Sequence, residues 1–279
     1  MPSQTPLPVA AIRDEVIIRN CEVLEEMEAC FALQQEVWRF SDAELIPVRL
    51  FVVAAKIGGQ VIGAFVDANN RKNPEKLNKN GKQTELIGFA LAIPGMRNGH
   101  SYLHSQMLAV RQQYRNRGLG RRMKLYQRVD ALARGIALME WTFDPLEIKN
   151  SYLNIGKLGA IARRYNVNQY GITSSPLQRG LPTDRLVAEW WMNSRRVQAA
   201  IVNAPLPKFE CRASIDVPAE VCEPQAIATS HSRALAVQKR NHKEFARCFA
   251  EGLSVLGYEP DDHGNGRFLL GEWEENCNY

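Results

Sequence analysis

A chain of 279 residues has room for one large domain or two small ones. Its 45% hydrophobic and 23% charged residues and net charge of +5 exclude a disordered chain and a strongly polycationic one. Six cysteines without a C-x-x-C pair argue for small core residues in a reducing compartment and against zinc.

Residues 1–13, with Pro and Ser, read as a flexible arm without the order of a secretory leader. Val16–Ile18 is a short strand. Asn20 is placed to cap a helix over 22–38, where Leu24, Met27, Phe31 and Trp38 recur near helical spacing and Glu22, Glu25 and Glu26 crowd the positive end. In "RLFVVAAKIGGQVIGAFVDA" two β-branched runs flank Gly58-Gly59, which predicts a hairpin. Residues 69–84 are polar and aperiodic and predict an exposed loop. "ELIGFALAIPG" and "YLHSQMLAV" predict two further strands.

A helix follows Gly120, with Met123, Tyr126 and Val129 on one face. "ALMEWTFDP" is a strand stopped by Pro145, "KNSYLNIGKLGA" a short helix, and "IARRYNVNQYG" and "DRLVAEWWMN" a pair of strands. The tally is a mixed α/β sheet. Beyond about residue 195 the pattern changes. A proline-spaced extended stretch leads into "HSRALAVQKRNHKEFARCFAEGLSVLGY", which reads as a helix with Leu235, Phe245, Phe249 and Leu253 facing a core, and "GRFLLGEWE" is a last strand. No apolar run approaches the roughly 20 residues of a membrane span, so a cytoplasmic protein without a membrane partner is expected. The five histidines do not cluster with acids or cysteines, so no metal is expected.

The most informative stretch is Arg115-Asn116-Arg117-Gly118-Leu119-Gly120-Arg121-Arg122, between an apolar strand and an amphipathic helix. Glycine lets a backbone approach a ligand closely. The first helical turn offers unpaired N–H groups at the positive end of the dipole, which suits a phosphate. The alternative is a tight turn with solvated arginines. No Lys-Ser or Lys-Thr follows the glycines, as the nucleotide triphosphate loop requires, and Met123 stands where a dinucleotide loop needs its third glycine.

The remaining pattern, Arg115-x-x-Gly118-x-Gly120 after "MLAV", resembles the GNAT superfamily of acyl-CoA-dependent N-acyltransferases over about residues 14–193. The resemblance implies a mostly antiparallel, splayed central sheet flanked by helices, as a catalytic domain over 14–195. Residues 196–279 form a smaller C-terminal α/β extension outside the resemblance, which we expect to shape the acceptor pocket. It implies acetyl-CoA or another acyl-CoA as co-substrate. Leu108, Ala109 and Val110 would pair with the pantetheine arm through main-chain groups, residues Arg115 to Arg122 would hold the pyrophosphate, and Asn150 would open the next motif's helix near the cofactor. Against the family's "LYEKLGF", this chain reads "NSYLNIGKLGA", so Ile155 fills the tyrosine position of the general acid. Tyr152 is the substitute candidate, or a packed aromatic.

The expected reaction is transfer of an acetyl group, or a larger one such as succinyl, to the primary amine of a small molecule such as an amino acid. Direct transfer in a ternary complex is expected. His104, read as beginning the central strand, is the candidate base because imidazole titrates near neutrality. Glu140 and Asp144 on the adjacent strand are the other options. Trp190 and Trp191 read as one core and one exposed ring. The assembly expectation is a monomer or a homodimer, without nucleic acid. Two rival readings are a CoA-binding sensor that has lost chemistry, and a nucleic-acid binder that uses the basic helix. The second is disfavoured by the modest net charge and the lack of interleaved aromatics.

Overall fold

The computed structural model describes residues 16–67, 84–221 and 227–275. The arm over 1–13, nearly all of the polar loop, Cys222 and Cys277 lie outside the described residues. Ten strands form one sheet in the order β1-β2-β3-β4-β5-β7-β6-β9-β10-β8. All its neighbours run antiparallel except β4 and β5. The expected mixed α/β architecture is therefore present. Among the described residues no helix is long and apolar enough to cross a membrane.

β1 (Ile17–Asn20) edges the sheet and feeds α1 (Leu24–Trp38). Asn20 is not the cap: it pairs with Ile62 inside the strand, and the cap position is Val23. The helix start is held instead by Glu26, whose carboxylate accepts the Glu22 N–H at 2.8 Å and a guanidinium N–H of Arg19 at 3.0 Å. α2 (Val48–Lys56) corrects the predicted hairpin. Its β-branched residues are helical because Pro47 starts the turn and Phe51 and Ala54 bury against the sheet. Gly58-Gly59 is the helix stop: Gly58 takes φ +89°, and the Gly59 N–H returns to the Ala54 carbonyl at 2.7 Å.

β2 (Gln60–Asp67), β3 (Thr84–Arg97) and β4 (His100–Val110) form an antiparallel meander, with α1 and α2 over one face. α3 (Leu119–Ala133) covers the other face, packing Leu119 and Met123 against Ile87 and Leu108. The buried stripe of α3 is Leu119, Met123, Lys124, Gln127 and Ala131, not the predicted Met123–Tyr126–Val129 line; Val129 is exposed.

β5 (Leu138–Phe143) leads to α4 (Ile148–Ser151), which continues as a π-helical stretch over Tyr152–Lys157. β6 (Ile161–Asn166) and β7 (Arg185–Trp191) follow as predicted. Both Trp190 and Trp191 are buried, which corrects the expected exposed ring. The Trp190 indole donates to the Leu158 carbonyl at 2.7 Å.

After α5 (Arg195–Ile201), the C-terminal segment adds β8 (Ala213–Val217), α6 (Ile227–Ala250), β9 (Leu253–Pro260) and β10 (Gly266–Glu272). The predicted long helix ends at Ala250; Leu253 begins a strand, because Gly252 takes φ +80° and breaks the helix. β9 joins β6 through the pair Ala162↔Val255. Phe245 of α6 stacks on Tyr165 at 5.5 Å and meets Phe268 edge-on at 5.3 Å, in a core that also contains Trp190.

The helix stop separates two kinds of glycine. A Cβ on Gly59 would lie 2.6 Å from the Ala54 carbonyl oxygen and would also strike that of Ala92, both backbone atoms. A Cβ on Gly58 meets nothing nearer than 4.0 Å, and its cost is the positive φ alone. Gly58→Ala is expected to cost about 1–2 kcal/mol. Gly59→Ala is expected to cost more, toward the roughly 3 kcal/mol of an overpacked site. Urea denaturation midpoints of the two variants check the order.

Candidate functional site

The site begins where β4 and β5 part. Their parallel ladder consists of two pairs, Leu103↔Met139 and His104↔Glu140. Beyond them β4 stays on β3 as far as Val110, while β5 stays on β7 as far as Phe143. Against β3, Met107 pairs with Leu91 and Ser105 with Ala92, so Gln106 is an extra residue. This bulge bends β4 at the apex of the fork. Between the apex and the mouth, Leu108 and Val110 bury toward α3 and Ala109 toward α1 and α2. Their side chains are committed to two cores, and only their main-chain edge faces the fork.

The mouth is the glycine loop. After Val110 comes a single 3-10 turn over Gln112–Tyr114, then Asn116 at φ +60° and Gly118 at φ +74°, where α3 starts. Among the described residues no side chain caps this helix, and its first turn holds no acid, whereas the first turn of α1 carries Glu25 and Glu26. The free N–H groups at its start therefore keep their positive end unanswered. A Cβ on Gly120 would meet only the Leu108 side chain, at 3.5 Å, an ordinary contact. The fold itself does not require glycine there.

The arginines divide. Arg115 and Arg117 remain exposed: the Arg115 Nε donates to the Val110 carbonyl at 2.9 Å, and Arg117 lies over the Tyr114 ring. Arg121 is tied to the end of α5, donating to the carbonyls of Ala200 and Ile201 at 3.0 and 2.9 Å. Arg122 donates to the Val16 carbonyl at 2.9 Å. These last two side chains brace α3, and the Arg122 N–H closes the first helical bond on the Gly118 carbonyl at 3.0 Å.

His104 lies mid-strand, since β4 starts at His100 rather than at His104. Burial pulls its imidazole below the usual value; the charges of Lys124 and Arg164 act in the same direction, against Glu140. Such an imidazole is neutral at neutral pH. Glu140 is a poorer base candidate. Its buried carboxylate accepts from Arg97 at 2.7 Å and is also paired with Arg164. Glu189, its partner across β7, pairs with Arg163 at 2.5 Å and Arg164 at 3.4 Å. A bulge between Ala162 and Arg164 turns both consecutive arginines to this face. Asp144 is raised by burial and caps the turn through the Leu146 N–H at 2.8 Å. Tyr152 packs its ring on Gly156, with Lys157 above it. Ile155 is fully buried, and Asn150 is exposed, accepting from Asn154 at 3.5 Å.

Two loops roof the His104 face. The Ser41 N–H donates to Ser174 Oγ at 2.7 Å, and the Ser175 hydroxyl donates to the Trp38 carbonyl at 2.7 Å. At their edge lies a cleft of about 320 Å³ lined by Glu36, Trp38, Arg39, Gln112, Arg115 and Leu177. Sequence reasoning did not assemble this cleft, because its walls come from three distant stretches, 36–39, 112–115 and 176–177. It also passed over Lys124, although a lysine one turn after Gly120, among apolar positions, was a visible signal. Lys124 is buried, its Nζ 2.7 Å from Ser105 Oγ and 3.7 Å from the centre of the Trp141 ring. Among the described residues no group of histidines, cysteines and acids could hold a metal.

No family model and no curated protein matches the chain. Solved structures do resemble it. A putative acetyltransferase of the GNAT family from Desulfovibrio desulfuricans is 14% identical, with a TM-score of 0.45, over 62% of this chain and 97% of its own. The ribosomal-protein-S18-alanine N-acetyltransferase from Escherichia coli is 16% identical, at 0.44, over 64% and 97%. Arabidopsis thaliana NAA60 in complex with acetyl-CoA is 12% identical, at 0.48, over 64% and 99%. The bulged strand, the fork and the strand–glycine loop–helix passage agree with the splayed, mostly antiparallel sheet that the sequence resemblance implies.

Burial pushes the Lys124 ammonium well below its ordinary value of 10.5. The unfolded chain holds the proton up to about 10.5, so the penalty for burying the charge is full below the folded value and fades as pH rises toward 10.5. Lys124→Met is expected to stabilise the protein by about 1–4 kcal/mol at neutral pH. That gain should shrink as pH is raised, as read from denaturation midpoints of both proteins across pH 6–10.

Proposed function

We propose that this chain is a GNAT-type acyltransferase that moves an acyl group from a CoA thioester to the primary amine of a small molecule such as an amino acid. One observation carries the reading: an uncapped, acid-free helix start with a dispensable glycine opens directly into a strand fork. The five-residue step from Val110 to Ser105 spans about 16 Å of strand. An anion held at the mouth therefore reaches the apex only through a long arm, as in a thiol carrier. Amides at residues 118–121 would hold the pyrophosphate, with Arg115 and Arg117 on the rim. The unpaired edge of Leu108, Ala109 and Val110 would run beside the arm.

The amine would arrive from the roofed face, through the cleft beside Trp38 and Leu177. His104, neutral at neutral pH, would take a proton from the incoming ammonium or from the attacking amine, directly or through water. Nitrogen attack on the thioester carbonyl then forms the C–N bond, a main-chain donor near the bulge stabilises the oxyanion, and the C–S bond breaks. The departing thiolate needs a proton. Ile155 cannot supply one, and Tyr152 is the nearest candidate along the same helix.

The catalytic domain would cover 14–195. The segment 196–279 would act on the acceptor side by bracing the roof: the Gln238 amide donates to the Pro182 carbonyl at 2.8 Å, and Arg179 donates to the carbonyl of Val221. The buried Ile155 favours a second reading, a CoA-binding sensor without turnover.

Thermal shift with CoA tests the donor site. Gly120→Ala should fold at least as stably as the parent, since alanine is favoured over glycine in a helix by up to about 1 kcal/mol. It should nevertheless lose most of the shift that CoA gives the parent. An unchanged shift would remove the loop from the site. His104→Gln should keep the CoA shift and lower turnover about 10²-fold or more. The parent's acid limb in kcat/KM should lie below the ordinary imidazole value of 6.5, because burial lowers His104. Full activity in His104→Gln would exclude it as the base, and binding without turnover against an amine panel would favour the sensor.

A further inference from the structure

Beneath the fork apex lies a seam of buried polar groups that the acyl-transfer steps above do not use. Lys124 enters it from α3, one turn or about 6 Å along the axis from Gly120. Its Nζ donates to Ser105 Oγ on β4 at 2.7 Å and lies against Trp141 and the sulfur of Met139 on β5. The lysine therefore bridges the two strands where they begin to part. Ser105 reaches Gln127 Oε1 at 3.4 Å, and Gln127 Nε2 is buried without a hydrogen-bond partner among the described residues. The seam has too few acceptors. Lys124 has one oxygen partner for its donors and no carboxylate; Gln127 has an orphan N–H pair. The seam's orphan acceptor, Gln60 Oε1, belongs to an amide held at the other end by the Gln127 carbonyl and by Asp130 at 2.6 Å.

A buried amine with a single oxygen partner and a buried amide N–H pair with none are costly unless something brings more oxygen to them. Among the described residues no further oxygen is bonded to either. What enters the fork in the reading above is the acyl end of a thioester, whose arm runs along β4 from the mouth toward Ser105. Acetyl ends in a methyl group and leaves every one of these donors unmet. An acyl chain that ends in a carboxylate supplies two oxygens and the missing countercharge.

We propose that the donor is a dicarboxylic acyl thioester, its free carboxylate held at the fork apex by Lys124 with Ser105 and Gln127. This rests on the CoA reading and narrows it to one class of acyl group. It also gives Lys124 a reason to lie where leucine or methionine would be cheaper.

Isothermal titration of the full chain with CoA, acetyl-CoA and succinyl-CoA tests it. The parent should bind succinyl-CoA about 10- to 100-fold more tightly than acetyl-CoA, the range of a charge-assisted hydrogen bond in a dry site. Lys124→Met should erase most of that ratio, losing far more affinity for succinyl-CoA than for acetyl-CoA. Lys124→Gln gives the same comparison should the methionine variant fail to fold. Equal affinities for the two thioesters in the parent, with CoA itself bound, would overturn this proposal and leave the donor site standing. An unchanged ratio in both variants would do the same. Intact-mass detection of acylated Lys124 would overturn it too, making the lysine a nucleophile. Absence of any CoA binding would sink the donor site and this inference together.

Discussion

The parting of β4 from β5 is the constraint on which the site depends. A parallel ladder that continued past His104 and Glu140 would close the sheet and leave no edge for a ligand. Instead β4 is held on one side by β3 and β5 on the other by β7, while the bulge at Gln106 bends β4 away. Beyond the apex β4 and β5 share no further ladder pairs. In the proposed reading an extended ligand with amide groups takes the place of those pairs.

The fork also divides the chemistry by face. Toward α3 lie the helix start, the glycines and Lys124, all of them short of acceptors. Toward α1 and α2 lie His104, the guanidinium–carboxylate network and the two loops joined through Ser41, Ser174 and Ser175. Glu140 and Glu189 sit in the second set as braces. Each is nearly fully buried, and together they hold three arginines from two elements. Removing one carboxylate would leave guanidiniums unanswered, which is why a buried pair is costly to break even when it adds little stability as a whole. His104 lies beside Glu140 in the ladder and is desolvated by burial, with no ion pair among the described residues, which suits a proton acceptor better than a clamped carboxylate does.

Much of this was legible in residues 104–133, because local chemistry decided it: apolar strand, glycines, uncapped helix. The misreadings have physical causes. Val48–Lys56 carries β-branched residues with the same composition as a strand, and burial of Phe51 and Ala54 on one helical side decided the matter. The stripe of α3 was misplaced because Lys124 and Gln127 were counted as polar and therefore outward, whereas tertiary contacts buried both. Leu253 was drawn into the preceding helix because Gly252 is a single residue in a long periodic run, and only its positive φ shows that the chain turns there. The cleft beside Trp38 depends on loops 130 or more residues apart in sequence, for which neither periodicity nor motif gives a signal.

The C-terminal segment shows how a sheet can be lengthened without disturbing its centre. It attaches through a single ladder pair, so the ladder alone holds it weakly. The attachment comes from the core, where Phe245 and Phe268 close over Tyr165, and from bonds to the loop between β6 and β7. That loop, in turn, carries Ser174 and Ser175 to the roof. Its far side is fixed by α6 and its near side by α1, so neither wall of the roof can shift without breaking hydrogen bonds at the other. The loop is thereby held from both sides, and the shape of the cleft beside Trp38 comes to depend on residues far downstream, Gln238 and Phe245 among them.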